Sequence, residues 1–384
     1  MSRLNVHLFG TDFKFESRTF KETDALLASG LIDQVEIAAF GDPDALEREP
    51  LGTPARILWR VPLVTRQRLP RNLASQLIKY VEWSWRILRA YRRRSVAVIH
   101  CHSLLPLLLA RLLKATTGAR LVYDAHELET ETNGLRGLRQ TLARWMERTL
   151  IRHADATLVV SPSIQDWYET TYPGLRVELV RNVPYDPPEI KPYPWKQELG
   201  IPDTSVLFLY LGGLVEGRGI HAMLDAFARP GCSQHILFLG SGPLANEIKR
   251  AAANAPNIHL HPSVPMEQVV HRAAGADVGM CLIEDICLSY RYSLPNKLFE
   301  TIQAGVPVIT ADLPDQAALL AGHNAGWTCT VDADAIHAAI SAITPQDVAT
   351  RRTGALALKR QLSWPAEATR LVSLYEDLLR PHPP

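Results

Sequence analysis

The densest chemistry in this chain lies between Ser293 and Val308, in the stretch SLPNKLFETIQAGVPV. Pro295 fixes its own φ and pushes Leu294 out of the α region, so the spacing predicts a helix starting near Asn296. Leu298, Phe299 and Ile302 form its apolar stripe, Ala304-Gly305 stops it, and a short buried strand follows over 306–310. The unpaired N–H groups of such a helix start attract an anion, and Lys297 sits in the first turn, where the helix dipole disfavours a cation unless an anion meets it. Glu300, one turn further, is placed to accept hydrogen bonds from hydroxyls beside that anion. A helix N-terminus for phosphate and a carboxylate for ribose is the chemistry of a nucleoside-diphosphate site.

Other polar or glycine positions stand just after apolar runs, where ligands bind in open α/β sheets. The first run ends at Phe9-Gly10, and Gly10, Arg18 and Lys21 are expected to face a cleft. Tyr123-Asp124-Ala125-His126-Glu127 follows another run, and carboxylates on either side of His126 can orient it or raise its pKa. Ser161-Pro162-Ser163 reads as a helix cap and Arg181-Asn182-Val183-Pro184 as a turn. In LYLGGLVEGRG the paired glycines Gly212 and Gly213 permit close backbone approach, and Arg218 stands before the next helix. Gly240-Ser241-Gly242 repeats that turn, and Val264 follows a short strand. No G-x-G-x-x-G occurs at the first turn, which counts against a dinucleotide site.

Taken in order, these segments resemble the landmarks of GT-B glycosyltransferases of the family 4 (glycosyl transferases group 1) kind, from Gly10 to Pro307. The resemblance implies that Glu300 holds the donor ribose and that Arg218 and Lys297 neutralise the donor diphosphate. It implies that Gly10, Gly213, Gly240, Ser241, Gly242, Val264, Asn296 and Leu298 line the nucleotide, with backbone around Val264 holding the base, and that His126 approaches the donor sugar. Two departures stand out. The family's first glutamate, separated from the second by seven intervening residues, falls on Tyr292, which leaves the sugar and the stereochemical outcome open; Glu284 or Asp285 could substitute. The second arginine usual after the first glycine is absent, since Gly213 is followed by Leu214.

The elements that must position these residues alternate between short apolar runs and helical periodicity, the pattern of βα units on mostly parallel sheets. Strands are expected over 5–9, 34–39, 96–100, 121–124, 156–160 and 177–180, with helices over 19–29, 73–92, 105–116, 135–153 and 162–171. The proline-rich YDPPEIKPYPWKQELGIP breaks the pattern and reads as a hinge before a second array. The fold class is therefore α/β, with two Rossmann-like domains facing a cleft: an acceptor-side domain over 1–185 and a donor domain over 186–364. The amphipathic segment over about 365–380 is expected to pack back on the first domain.

A chain of 384 residues suits two domains, and 47% hydrophobic with 21% charged residues is the composition of a folded protein. Five scattered cysteines without a C-x-x-C pair argue against a disulfide framework and for a reducing compartment. No apolar run reaches the roughly 18–20 residues of a spanning helix, and none suits a signal peptide. A cytoplasmic location follows, peripheral to the inner face of the plasma membrane for the reason below.

The formal charge of +1 hides an asymmetry, +6 over residues 1–185 against −5 beyond. Between Arg56 and Arg94 eleven basic residues face Glu82 alone, and Leu73, Leu77, Tyr80, Val81, Trp83, Trp85, Leu88 and Tyr91 lie among them. Such a basic amphipathic segment suits an anionic membrane surface and a lipid-linked acceptor. Nucleic acid is not expected as a partner, since the architecture lacks a reading helix or aromatic platform.

The expected activity is transfer of a sugar from a nucleotide-diphosphate donor, UDP-sugar before GDP-sugar, to a lipid-linked acceptor or growing envelope polysaccharide, with retention. No cofactor is expected, and no D-x-D pair at a strand end calls for a catalytic metal. The alternatives are a nucleotide-sugar epimerase on the same scaffold and a catalytically silent sugar-binding subunit.

Overall fold

The computed structural model describes residues 3–13, 16–41, 46–70 and 72–380. They form two compact units, Met1–Arg181 with Pro365–Pro384, and Asn182–Trp364. Both are α/β units with largely parallel sheets.

In the first unit the strands are β1 (Leu4–Phe9), β2 (Gln34–Phe40), β3 (Arg48–Leu51), β4 (Thr53–Val61), β5 (Val98–His102), β6 (Arg120–Asp124), β7 (Ala156–Val159) and β8 (Val177–Leu179). Their order is β3-β4-β2-β1-β5-β6-β7-β8, with only β3 antiparallel to its neighbour. The helices are α1 (Ser17–Ala28), α2 (Val64–Arg68), α3 (Leu73–Tyr91), α4 (Leu107–Thr117), α5 (Leu138–Leu150) and α6 (Pro162–Thr171). Ser161 caps α6, its Oγ accepting from Ile164 N at 3.3 Å. Gly137, at φ +60°, sets the start of α5 three residues later than the apolar periodicity predicts.

The second unit has β9 (Leu207–Leu211), β10 (His235–Leu239), β11 (Ile258–His261), β12 (Val278–Cys281), β13 (Val308–Ala311) and β14 (Gly326–Cys329), in the order β11-β10-β9-β12-β13-β14. Its helices are α7 (Trp195–Leu199), α8 (Ile220–Phe227), α9 (Ala245–Asn254), α10 (Met266–Ala274), α11 (Leu288–Arg291), α12 (Asn296–Gln303), α13 (Pro314–Ala321), α14 (Ala333–Ala342) and α15 (Pro345–Gln361). One apolar layer around Phe208, Phe227 and Phe238 and another around Trp195, Leu209 and Leu237 sandwich this sheet. The last helix, α16 (Trp364–Leu379), belongs from Pro365 onward to the first unit, where Tyr375 is fully buried.

Three sequence expectations need correction. Strand β5 runs two residues further than 96–100, because His102 pairs with Phe9 of β1 and so continues the ladder. The hairpin β3–β4 was not expected; its prolines and arginines mask the strand pattern. The basic run from Arg56 to Arg94 is not one solvated face. Arg56 is buried and pairs with Asp24 at 2.7 Å, Arg60 with Glu49 at 2.6 Å, Arg86 with Glu82 at 2.8 Å and Arg94 with Glu36 at 2.6 Å. Arg71 lies outside the described residues. Trp83 and Tyr91, read as surface anchors, are buried inward.

Candidate active site

In both sheets the strand order reverses beside a central strand, between β1 and β5 in one and between β9 and β12 in the other. Crevices at such reversals, outside the carboxyl ends of the strands, are where α/β sheets bind ligands. The chemistry-bearing residues gather at these two places.

In the second unit β9 ends in Gly212-Gly213 and β10 in Gly240-Ser241-Gly242. A Cβ on Gly240 would stand 1.9 Å from Gly212 O, and one on Gly242 2.4 Å from Leu214 O. These two glycines therefore let the turns lie against each other, tied by Leu214 N donating to Ser241 O at 2.9 Å. Gly213 differs, being exposed with nothing within 4 Å of a Cβ, so its backbone is open to approach. Val264 is half-buried and packs on the apolar layer near Trp195.

Helix α12 starts beside these turns after Pro295, and no side chain caps it. Asn296 is exposed, and its Oδ1 accepts from Asn182 Nδ2 at 2.8 Å. Leu298 contributes less than the motif suggests, since its side chain is fully buried and its N–H already donates to Pro295 O at 3.0 Å. Lys297 folds back over Tyr210 with Nζ 3.6 Å from the ring centre. That Nζ is buried with no hydrogen-bond partner. Burial pulls its pKa down to about 7, with Arg218 adding to the fall and Cys281 opposing it. Tyr210 is in turn fixed by donating its hydroxyl to Gly213 O at 2.7 Å. Glu300 lies half-buried on the same helix.

The loop before α8 carries Arg218, whose guanidinium lies 4.5 Å from the centre of the Tyr290 ring. Glu284 braces this loop: its N–H donates to Gly217 O at 3.2 Å and its Oε1 accepts from Gly219 N at 3.1 Å. Glu284 is thus engaged with backbone, and Asp285 pairs with Arg291 at 3.2 Å. Lys297, Tyr210, Gly213 and the start of α12 thus lie together and leave one buried donor, Lys297 Nζ, without an acceptor.

In the first unit the period of two along β1, β5 and β6 puts Asn5, His7, His100, His102 and Asp124 on one face. His126 follows at the strand end, its Nε2 3.0 Å from His102 Nδ1 and 3.2 Å from Asp124 Oδ2. Burial opposes charge on this imidazole, but the Asp124 carboxylate outweighs it and raises the pKa above the ordinary value. Its side chain remains 27% exposed, unlike the other histidines of the group. Arg18 does not face a cleft as expected. It is buried, donating from Nε and Nη2 to Asp124, each at 2.9 Å, and from Nη1 to Val180 O at 2.7 Å. Lys21 is buried as well. Gly10 is close-packed on a side chain, for its Cβ would lie 2.8 Å from Leu105 Cδ2. Sequence reading missed His7, His100, His102 and Glu22, although histidine at alternate positions of apolar strands was a visible signal.

Residues 23–185 match the family model described as glycosyl transferase 4-like domain, and residues 205–345 the model described as glycosyl transferases group 1. The chain is 24% identical over 314 residues to alpha-maltose-1-phosphate synthase of Mycolicibacterium smegmatis, covering 74% of this chain and 80% of that protein. Sucrose-phosphate synthase from Thermosynechococcus elongatus has a similar structure, with a TM-score of 0.81 at 16% identity over 98% of this chain and 99% of that one. So has Anabaena HepE, solved in complex with UDP and glucose, with a TM-score of 0.71 at 14% identity over 98% and 100% of the two chains. The chain belongs to the GT-B glycosyltransferases of the family 4, glycosyl transferases group 1, kind.

Proposed function

We propose that this glycosyltransferase takes its sugar from a nucleoside-diphosphate donor bound at the start of α12, with UDP-sugars preferred to GDP-sugars. The observation that carries this reading is the buried, unpartnered ammonium of Lys297 at an uncapped helix start. A buried cation without an acceptor is costly, and a diphosphate supplies the acceptor. As the nucleoside diphosphate leaves, negative charge grows on its phosphates, and Lys297, Arg218 and the first-turn N–H groups of α12 stabilise it. Glu300 holds the ribose, and Gly213, Ser241 and Val264 line the nucleotide. The reading of UDP also draws on similarity to HepE, whose structures hold UDP and UDP-glucose.

In this reading the chain divides its work between a donor domain, residues 186–364, and an acceptor domain, residues 1–185. His126, with its raised pKa and partial exposure, acts on the transferred sugar. The reaction retains the anomeric configuration and uses no catalytic metal at the donor phosphates, where cationic side chains take that role. The acceptor is lipid-linked or a growing envelope polysaccharide, and the enzyme works on the cytoplasmic face of the membrane.

The surface of the first unit supports membrane attachment. No helix of the described residues is long and apolar enough to cross a membrane. Leu77, Val81 and Trp85 on α3, Leu108 and Leu112 on α4, and Leu138, Leu142 and Trp145 on α5 are all exposed, and α4 packs against both neighbours. Arg89, Arg92, Arg93, Arg136, Arg139 and Arg148 are exposed around them.

The decisive experiment measures thermal stabilisation by UDP, GDP and their sugars, followed by product analysis with and without candidate acceptors. Stabilisation by UDP that Arg218→Ala and Lys297→Ala remove, with product formed only when acceptor is present, supports the reading. Sugar isomerisation without acceptor would make the chain an epimerase, and binding without any product would make it a silent subunit.

A further inference from the structure

The face of the first sheet beneath α1 holds a group of polar atoms that the donor chemistry does not use. Glu22 and Asp124 are fully buried, and among the described residues the guanidinium between them is that of Arg18. Arg18 Nε carries one hydrogen, which goes to Asp124 Oδ2; Nη2 serves Asp124 Oδ1 and Nη1 serves Val180 O. Although Arg18 Nε lies 2.8 Å from Glu22 Oε1, both Glu22 oxygens lack a hydrogen bond, and so does His100 Nε2. Two buried carboxylates thus face one cation, and three of the atoms between them are orphaned. Left so, Glu22 Oε1 has only its ion pair with Arg18 to offset its lost hydration, and Glu22 Oε2 and His100 Nε2 have no hydrogen bond to offset theirs.

Those atoms converge. His100 Nε2 lies 3.5 Å from Asp124 Oδ2 and 3.8 Å from Glu22 Oε2, and His102 Nδ1 lies 3.3 Å from Asp124 Oδ2. One donor atom from each of the four side chains fits within 4.8 Å of all the others. Four nitrogen and oxygen donors around a zinc-class ion at ~2.0–2.1 Å sit about 3.3–3.4 Å apart in a tetrahedron, close to the two shortest separations here.

With one exception the surrounding hydrogen bonds can run in the direction such an ion needs: His126 Nε2, 3.0 Å from His102 Nδ1, has to turn its N–H to Asp124 Oδ2, 3.2 Å away, and leave the His102 lone pair to the ion. His100 Nδ1 lies 2.7 Å from Tyr375 Oη, so Nδ1–H donates there and Nε2 keeps its lone pair. His102 Nε2 lies 2.9 Å from His7 Nδ1, so Nε2–H donates there and Nδ1 keeps its lone pair. His7 then donates from Nε2 to the Asn5 amide 2.9 Å away, provided Oδ1 is turned toward it, in which case Tyr375 Oη also donates to that oxygen and the unpartnered Asn5 atom is Nδ2 instead. Each imidazole would then be oriented through its second nitrogen, as metal-bound histidines are. His126 keeps its own N–H for Asp124.

We propose that Glu22, His100, His102 and Asp124 form a buried site for one divalent first-row transition ion of the zinc class, a structural site that ties α1 to the centre of the first sheet. The proposal is independent of the donor reading, because all four residues lie in the first unit.

The test uses the full chain carrying no polyhistidine tag. Elemental analysis of protein purified without chelator, and again after unfolding in chelator and refolding with zinc, is expected to give one ion per chain. Refolding with cobalt instead is expected to produce the visible absorption of a tetrahedral N/O site. Glu22→Gln and His100→Gln should each weaken zinc binding at least tenfold and abolish the cobalt spectrum. Wild-type protein that is metal-free by both routes, and whose melting temperature zinc, manganese, iron, cobalt and nickel leave unchanged, overturns the proposal and assigns a proton on Glu22 as the missing positive charge. The wild-type measurements decide the matter even where a variant does not fold.

Discussion

Lys297 Nζ rests 3.6 Å from the centre of the Tyr210 ring, and Tyr210 donates its hydroxyl to Gly213 O at 2.7 Å. The cation proposed to meet the donor phosphates is therefore held over an aromatic face whose position depends on the glycine turn of β9. Because this ammonium is buried without an acceptor, its pKa falls from the ordinary lysine value to about 7.

The sign of the resulting pH effect can be worked out. The folded protein binds fewer protons at Lys297 than the unfolded chain between about pH 7 and the unperturbed value, so this group's contribution to stability rises with pH across that window. A bound diphosphate restores the charge, so nucleotide binding takes up a proton. At about pH 8.5, where a nucleoside diphosphate is itself fully ionised, calorimetry in buffers of different ionisation enthalpy should show net proton uptake on UDP binding. Lys297→Met should abolish the uptake. Binding without uptake in the wild type would mean that the phosphates do not meet Lys297.

A second expectation concerns Glu300, half-buried on α12. Glu300→Gln removes a charged acceptor for ribose hydroxyls and should weaken UDP binding by about 1–3 kcal/mol. The deoxyribose nucleotide should lose less affinity on mutation than the ribose nucleotide. Equal UDP affinity in a folded variant would remove Glu300 from the site.

The motif around Glu300 was legible because proline and glycine have a local conformational reason to stand where they do, whereas a lysine in the first turn stands against the helix dipole. The start of α12 at Asn296 needed only Pro295, and the expected helix ends one residue from the observed one. The polar network of the first unit was legible only at Asp124 and His126; His7 and His100 lie inside strands and His102 ends one, all three buried, where hydrophobic periodicity does not place a histidine. Glu22 was invisible for a different reason: its neighbours come from strands some eighty to a hundred residues away in the chain, and only the sheet order brings them together. Nor can composition show that an arginine such as Arg56 is paired indoors with Asp24, and so counts nothing toward a surface field.

His126 should separate chemistry from binding. It belongs to the first unit, while Lys297, Arg218 and Glu300, the residues proposed to hold the nucleotide, belong to the second. His126→Ala is expected to lower transfer by roughly 10²–10⁴-fold, the range of a positioned acid–base group, with UDP affinity within experimental error of wild type. Loss of UDP binding and melting temperature together would show that His126 merely supports the Asp124 network.

Membrane attachment is tested by the face that α3, α4 and α5 share. Trp85, Leu142 and Trp145 are 54%, 62% and 64% exposed, and Arg89 stacks 5.4 Å from the centre of the Trp85 ring. Large exposed apolar groups on three neighbouring helices, with exposed arginines on or beside α3 and α5, have the composition of an interfacial surface, each basic residue adding on the order of 1 kcal/mol near an anionic leaflet. Because Arg56, Arg60, Arg86 and Arg94 are already paired within the fold, the electrostatic share should come instead from Arg89, Arg92, Arg93, Arg136, Arg139 and Arg148. The protein should therefore float with phosphatidylglycerol-containing vesicles and less with pure phosphatidylcholine, and added salt should weaken the first. Trp85→Ser with Trp145→Ser should reduce flotation on anionic vesicles while leaving UDP binding unchanged, whereas Arg56→Gln should lower stability more than it lowers flotation. Equal recovery on neutral and anionic vesicles would defeat the charge argument. A tryptophan pair whose removal leaves flotation intact, but converts a dimer to a monomer in solution, would reassign this face to a second copy of the chain.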